Sequence, residues 1–153
     1  MQSRLNIAKV APDVYKAMLT LETCVKQSGL EASLLELVKT RASQMNHCAY
    51  CLDMHTKDAR AHGETEQRLY TLSAWRETAC YSERERAALA WTEALTNVAE
   101  SHVPDDVYDV ARAHFTESEL AHLSLAIVAI NGWNRLSVAF RVVPGTYQSA
   151  KTQ

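Results

Sequence analysis

The stretch LLELVKTRASQMNHCAYCLDMHTKDARAHG, residues 34–63, decides the fold. It shows no alternation of β-branched and polar residues bounded by turns, so no strand is expected here. Leu34, Leu37, Val38 and Met45 lie near one face of a helix over residues 31–45. A following helix is expected over roughly 47–62, stopped by Gly63, which suits the left-handed C′ position. His47, Cys48, Cys51 and His55 fall within nine positions of that second helix.

Each helical residue advances by about 100°, so Cys48, Cys51 and His55 are expected within about 60° of arc. Two thiols and an imidazole on one face invite redox chemistry. The thiolate is the nucleophile, and a free thiol with a pKa of about 8.5 is mostly protonated at neutral pH. His55, one turn beyond Cys51, is placed to take the proton of Cys51. The dipole at the helix N-terminus instead favours Cys48 as the attacking thiol. Direct proton transfer needs a base, which gives Cys51 the edge. Three other readings stay open, the plainest being two buried cysteines with no role. Cys48, Cys51 and His55 supply three zinc ligands, with His47 as a fourth that points away on a regular helix; no second CxxC closes the site. A structural disulfide across three positions closes a tiny loop and stabilises weakly.

Outward from this stretch, helix signals continue in both directions. Pro12 opens residues 12–29, and Gly29 suits their stop. A short helix is expected over residues 64–72. Ser82 with Glu85, and Thr116 with Glu119, read as capping boxes ahead of helices. Pro104, Asp105 and Asp106 open another helix, with acidic residues at the positive end of its dipole. The last helix, 120–140, is apolar nearly all round in its first half, as a helix buried centrally or against another subunit would be. The expected architecture is all-α: one compact single-domain bundle of six or seven helices over residues 1–153.

Composition agrees with a globular domain. The 153 residues are 47% hydrophobic and 22% charged, with a net charge of −2. No basic stripe points to nucleic acid or to an anionic membrane. The N-terminus carries Arg4 and Lys9 and makes a poor signal peptide, and the apolar run 123–130 is too short to cross a bilayer. A cytoplasmic location is expected. Cys24 and Cys80 are isolated in sequence and read as small buried hydrophobes. His62 reads as a cation at a helix C-terminus, and His102, His114 and His122 as surface or interface residues. Trp91 and Trp133 are expected in the core or at subunit contacts, and Asn131 and Asn134 as partners of buried backbone groups.

The spacing reaches further back. Glu36 stands twelve residues before Cys48, giving E-x11-C-x2-C-x3-H as Glu36, Cys48, Cys51 and His55. This resembles the active-site pattern of the alkylhydroperoxidase AhpD-like branch of the carboxymuconolactone decarboxylase family. Residues 34–69, SERERAALAWTEALT (82–96) and INGWNRLSVAFR (130–141) are similar to that family as well. The resemblance implies an all-helical fold assembled as a homo-oligomer, a trimer or hexamer, and a thiol peroxidase. By resemblance Cys51 is the peroxidatic cysteine, Cys48 the resolving one, and Glu36 with His55 a proton relay. The implied substrate is an alkyl hydroperoxide or hydrogen peroxide, and the implied electron donor an external dithiol or a disulfide-reducing protein. A dithiol–disulfide reductase or redox sensor with little turnover is the alternative, and a zinc module a further one. No glycine-rich phosphate loop is visible, so no nicotinamide, flavin or metal cofactor is expected. Tyr50 departs from the pattern, because some peroxidase members carry histidine there. The decarboxylase branch lacks the cysteine pair, so lactone decarboxylation fits poorly.

Overall fold

The computed structural model describes residues 2–149; residue 1 and residues 150–153, the ends of the expected domain, lie outside them. Among the described residues the chain is all-helical. It runs α1 (Ile7–Val10), α2 (Pro12–Lys26), α3 (Ala32–Met45), α4 (Ala49–Ala61), α5 (Glu66–Thr71), a 3-10 helix (Leu72–Glu77), α6 (Glu83–Thr96), α7 (Val98–Ser101), α8 (Asp105–His114) and α9 (Glu117–Phe140). Helices α1 and α7 are single turns. The seven longer α-helices are the bundle expected from the sequence.

Helices α3 and α9 form the centre. Helix α3 packs against α4, α6 and α9, and α9 also receives α2, α4, α6 and α8. Leu37, Leu123, Ile127 and Ile130 are fully buried there. Each contributes about 1.5–3 kcal/mol through the apolar surface it removes from water. At 24 residues, α9 is long and apolar enough to cross a membrane by length and composition, which the run 123–130 alone did not suggest. In this fold it is a core helix that also buries Asn131 and Asn134.

Both expected capping boxes form. Ser82 and Glu85 close the start of α6, and Thr116 and Glu119 the start of α9. The Glu119 carboxyl is pulled down to about 2, chiefly by the Thr116 amide and next by Arg84. A carboxylate depressed on folding adds stability above its unfolded pKa and loses it as pH falls through the folded one. The stability difference between wild type and Glu119→Gln, read by acid unfolding in circular dichroism, is therefore expected to be full at neutral pH. It should shrink below the ordinary carboxylate value of 4.5 and vanish near pH 2.

Three expectations need correction. Helix α4 starts at Ala49, not at residue 47. The chain first closes α3: His47 adopts a left-handed φ of 53°, its amide donates to Gln44 O, and the Cys48 amide donates to Ser43 O. That is a Schellman closure with histidine at the glycine-favouring position. Cys24 and Cys80 are exposed, not buried. On α2 the inward stripe is Tyr15, Met18, Glu22 and Val25, and Cys24 falls beside it; Cys80 sits in the loop before α6. Asn131 does satisfy a buried backbone group, the Ile127 carbonyl at 2.9 Å, but Asn134 bonds only side chains.

Those side chains matter for the site. Asn46 Nδ2 donates to Asn131 Oδ1 and Asn134 Oδ1, each at 2.9 Å, and Asn134 Nδ2 donates to Ser43 Oγ at 3.0 Å. Residue 46 is thus tied to α9 directly before the cysteine segment. Leaving one of these buried polar atoms unpaired would cost about 1–3 kcal/mol, which makes the turn stiff.

Candidate active site

Cys48 is the N-cap of α4, and its Sγ accepts the Cys51 amide at 3.3 Å. Its backbone is extended (φ −87°, ψ 95°), so the expected single helical face holds for Cys51 and His55 but not for Cys48. The N-cap position still brings the two sulfurs together: Cys48 and Cys51 are joined as a disulfide, with Cα atoms 5.4 Å apart. Both residues are 1% exposed.

His55 follows Cys51 by one turn and is buried. Glu36, from the middle of α3, places Oε2 2.8 Å from His55 Nδ1. Their side chains are only 13% and 6% exposed, so this pair is far less screened than a surface ion pair. Fixing Nδ1 against a carboxylate leaves Nε2 as the nitrogen available for proton exchange. All four residues of the sequence pattern therefore meet at the α3–α4 contact.

A cavity of about 480 Å³ opens beside them. Cys51, His55 and Glu36 line it; Cys48 does not. Apolar walls come from α2 and α9, including Leu19, Ile130, Trp133 and Phe140. Trp133 meets Tyr15 edge-on with centroids 5.5 Å apart, so Trp133 is a cavity wall, while Trp91 sits in the core and donates to Ser124 Oγ at 2.9 Å. Lys39, also on the cavity, is buried and paired with Glu22 at 2.6 Å. Tyr50 stands on the cavity wall where some relatives are expected to carry histidine; burial pushes its hydroxyl up, and nearby Tyr15 and Asp53 add to the shift.

Among the described residues, those grouped closely enough to hold an ion are Glu36, His55 and Asp58, with one donor atom from each within 4.8 Å of the others. The cysteines are not in that group. His47, the fourth zinc ligand considered from sequence, is exposed in the turn outside α4. Asp58 escaped the sequence reading although its position was legible: it follows Cys51 by seven residues and His55 by three, on the same helical stripe. Tyr147, whose hydroxyl contacts Asp58, lies in the tail after α9, where no periodicity announces it. The other four histidines lie outside the cavity lining: His62 Nδ1 contacts Asp58 O and His122 Nδ1 contacts Ser118 O, both at 2.8 Å, His102 is exposed, and His114 is half-buried at the end of α8.

Exposed Cys24 and Cys80 beside a buried disulfide give a countable result. Native protein is expected to show two thiols per chain to a chromogenic disulfide reagent, and four after reduction and denaturation. Four before reduction would contradict the bonded pair.

A helical bundle with a CxxC disulfide, whose Cys51 lines one cavity with an imidazole and a carboxylate, has the fold and residue pattern of the AhpD-like class. The pattern of the Carboxymuconolactone decarboxylase family matches residues 12–94, and the chain belongs to that family, in its AhpD-like branch. It is 46% identical over 139 residues to the uncharacterized protein YdfG of Bacillus subtilis (strain 168), covering 91% of this chain and 95% of that one. A crystal structure from Agrobacterium tumefaciens superposes with a TM-score of 0.92 at 44% identity, over 95% of this chain and all of that one; it is described as a protein of unknown function and a candidate antioxidant defence protein AhpD. A peroxidase-related protein of Ralstonia eutropha JMP134 shares the fold, with a TM-score of 0.80 at 20% identity over 92% of this chain and 74% of that one.

Proposed function

We propose that the protein is a thiol-dependent peroxidase in which Cys51 attacks a hydroperoxide. One observation carries the choice of nucleophile: Cys51 lines the cavity with His55 and Glu36, and Cys48 does not. In the reduced enzyme His55 takes the Cys51 proton, steadied by Glu36. The thiolate attacks the distal peroxide oxygen and the O–O bond breaks. Cys51 becomes a sulfenic acid, oxidised by two electrons, and the peroxide is reduced by two. The proton held on His55 passes to the departing alkoxide or hydroxide, which leaves as alcohol or water. The Cys48 thiol then attacks the Cys51 sulfur, water leaves, and the disulfide forms.

A cavity of about 480 Å³ is far larger than hydrogen peroxide needs and lies in the range of small-molecule sites, roughly 300–1,000 Å³. Its apolar walls favour an organic hydroperoxide. The disulfide is buried, so its reductant is a dithiol that enters the cavity or a disulfide-reducing protein that provokes an opening. Regeneration by a dithiol suits a reducing compartment such as the cytoplasm. Assembly into a homo-oligomer, a trimer or hexamer, is part of this proposal and rests on the family resemblance.

The test is consumption of cumene hydroperoxide by the purified protein with dithiothreitol as donor. Turnover well above the dithiothreitol background is the expected result. Formation of the disulfide after one equivalent of oxidant, without turnover, would favour the redox-sensor reading instead. Stoichiometric zinc lost only to strong chelation, with no peroxide consumed, would favour the zinc module.

A further inference from the structure

The tail after α9 returns to α4 and is fastened to it. The Gly145 amide donates to Asp53 Oδ2 at 3.0 Å, and Lys57 Nζ donates to the Tyr147 carbonyl at 3.0 Å. Lys57 also pairs with Asp53 at 2.9 Å. These bonds carry the Tyr147 ring to the cavity, where its hydroxyl lies 2.9 Å from each Asp58 carboxylate oxygen. Asp58 in turn lies within 4.8 Å of the facing donor atoms of both Glu36 and His55. Two carboxylates thus lie near one imidazole, and a phenol from the tail holds the second of them.

We infer that Asp58 is a positioning residue for His55, and that Tyr147 fixes the Asp58 carboxylate, so that the C-terminal tail supplies a working part of the site. This rests on the peroxidase reading only for its substrate; the effect on Cys51 is separate. Glu36 fixes one ring nitrogen of His55. A second carboxylate near the same ring supports positive charge on it when it takes the Cys51 proton. Unrestrained, Asp58 on the cavity wall would turn toward water; the phenol keeps it in place. Burial, with the Asp58 hydrogen bond and charge next, pushes the Tyr147 hydroxyl up to about 12, so it remains a donor throughout the working range.

The experiment uses the full-length protein, reduced with dithiothreitol and desalted. The rate of Cys51 alkylation by iodoacetamide at neutral pH is followed at the Cys51 peptide by mass spectrometry, and cumene hydroperoxide consumption is measured on the same samples. Asp58→Asn is expected to slow alkylation by about tenfold, as a rise of about one in the thiol pKa would, and Tyr147→Phe by about threefold, within the net worth of an ordinary hydrogen bond. Asp58→Glu should recover most of the rate, which a merely structural role of the side chain would not predict. Tyr147→Phe keeps the ring in the tail, so its result stands even where an Asp58 variant folds poorly. Alkylation in Asp58→Asn and Tyr147→Phe at the wild-type rate would overturn the inference, as would Asp58→Glu as slow as Asp58→Asn. Wild type that consumes no hydroperoxide would sink the peroxidase reading alone, and the order of alkylation rates would still decide this one.

Discussion

Cys51→Ser is expected to lose hydroperoxide consumption by a factor on the order of a thousand or more, down to the background of the dithiol donor. The hydroxyl is nearly the size of the thiol, so the buried segment keeps its packing. What disappears is the nucleophile: a serine hydroxyl beside one imidazole is not ionised enough to attack an O–O bond. Cys48 cannot substitute, because it is the N-cap of α4 and is turned out of the cavity lining. The check is the initial rate with cumene hydroperoxide and dithiothreitol, together with an unchanged circular dichroism spectrum. A variant as fast as wild type would move the chemistry away from Cys51.

Glu36→Gln carries the second-largest expected effect, a loss of roughly a hundredfold, or about 2.7 kcal/mol of barrier. The amide preserves shape and can still contact His55 Nδ1. It removes the negative charge 2.8 Å from the ring in a pair only 13% and 6% exposed. It also offers an NH2 group that can present a donor to a donor and so turn the imidazole. A structural role alone would lower stability with little change in rate per folded molecule. The comparison therefore needs both the peroxidase rate and the unfolding midpoint, and the rate is expected to fall much further than the midpoint explains.

Local chemistry made most of the fold legible in the sequence. Pro12, Gly63, the Ser82–Glu85 and Thr116–Glu119 boxes and the apolar spacing of α3 each act over a few residues, and each appears where expected. The spacing of Glu36, Cys48, Cys51 and His55 likewise picked out residues that meet at one helix contact. What escaped was set by distant partners. Cys48 leaves the helix because α3 must close first, through a turn anchored by Asn131 and Asn134 some 85 and 88 positions away. Cys24 was misread because composition favours buried cysteine, whereas the stripe Tyr15, Met18, Glu22 and Val25 decides which side of α2 faces inward. Tyr147 reaches Asp58 across 89 positions from a tail without helical pattern.

The central claim is that Cys51 is the atom oxidised by peroxide and Cys48 the one that resolves it. Its most direct measurement is intact and peptide mass spectrometry of reduced Cys48→Ser, treated with one equivalent of cumene hydroperoxide and a sulfenic-acid trap. The account predicts a single trap adduct on the Cys51 peptide. An adduct confined to Cys24 or Cys80, with Cys51 left as free thiol, would contradict it.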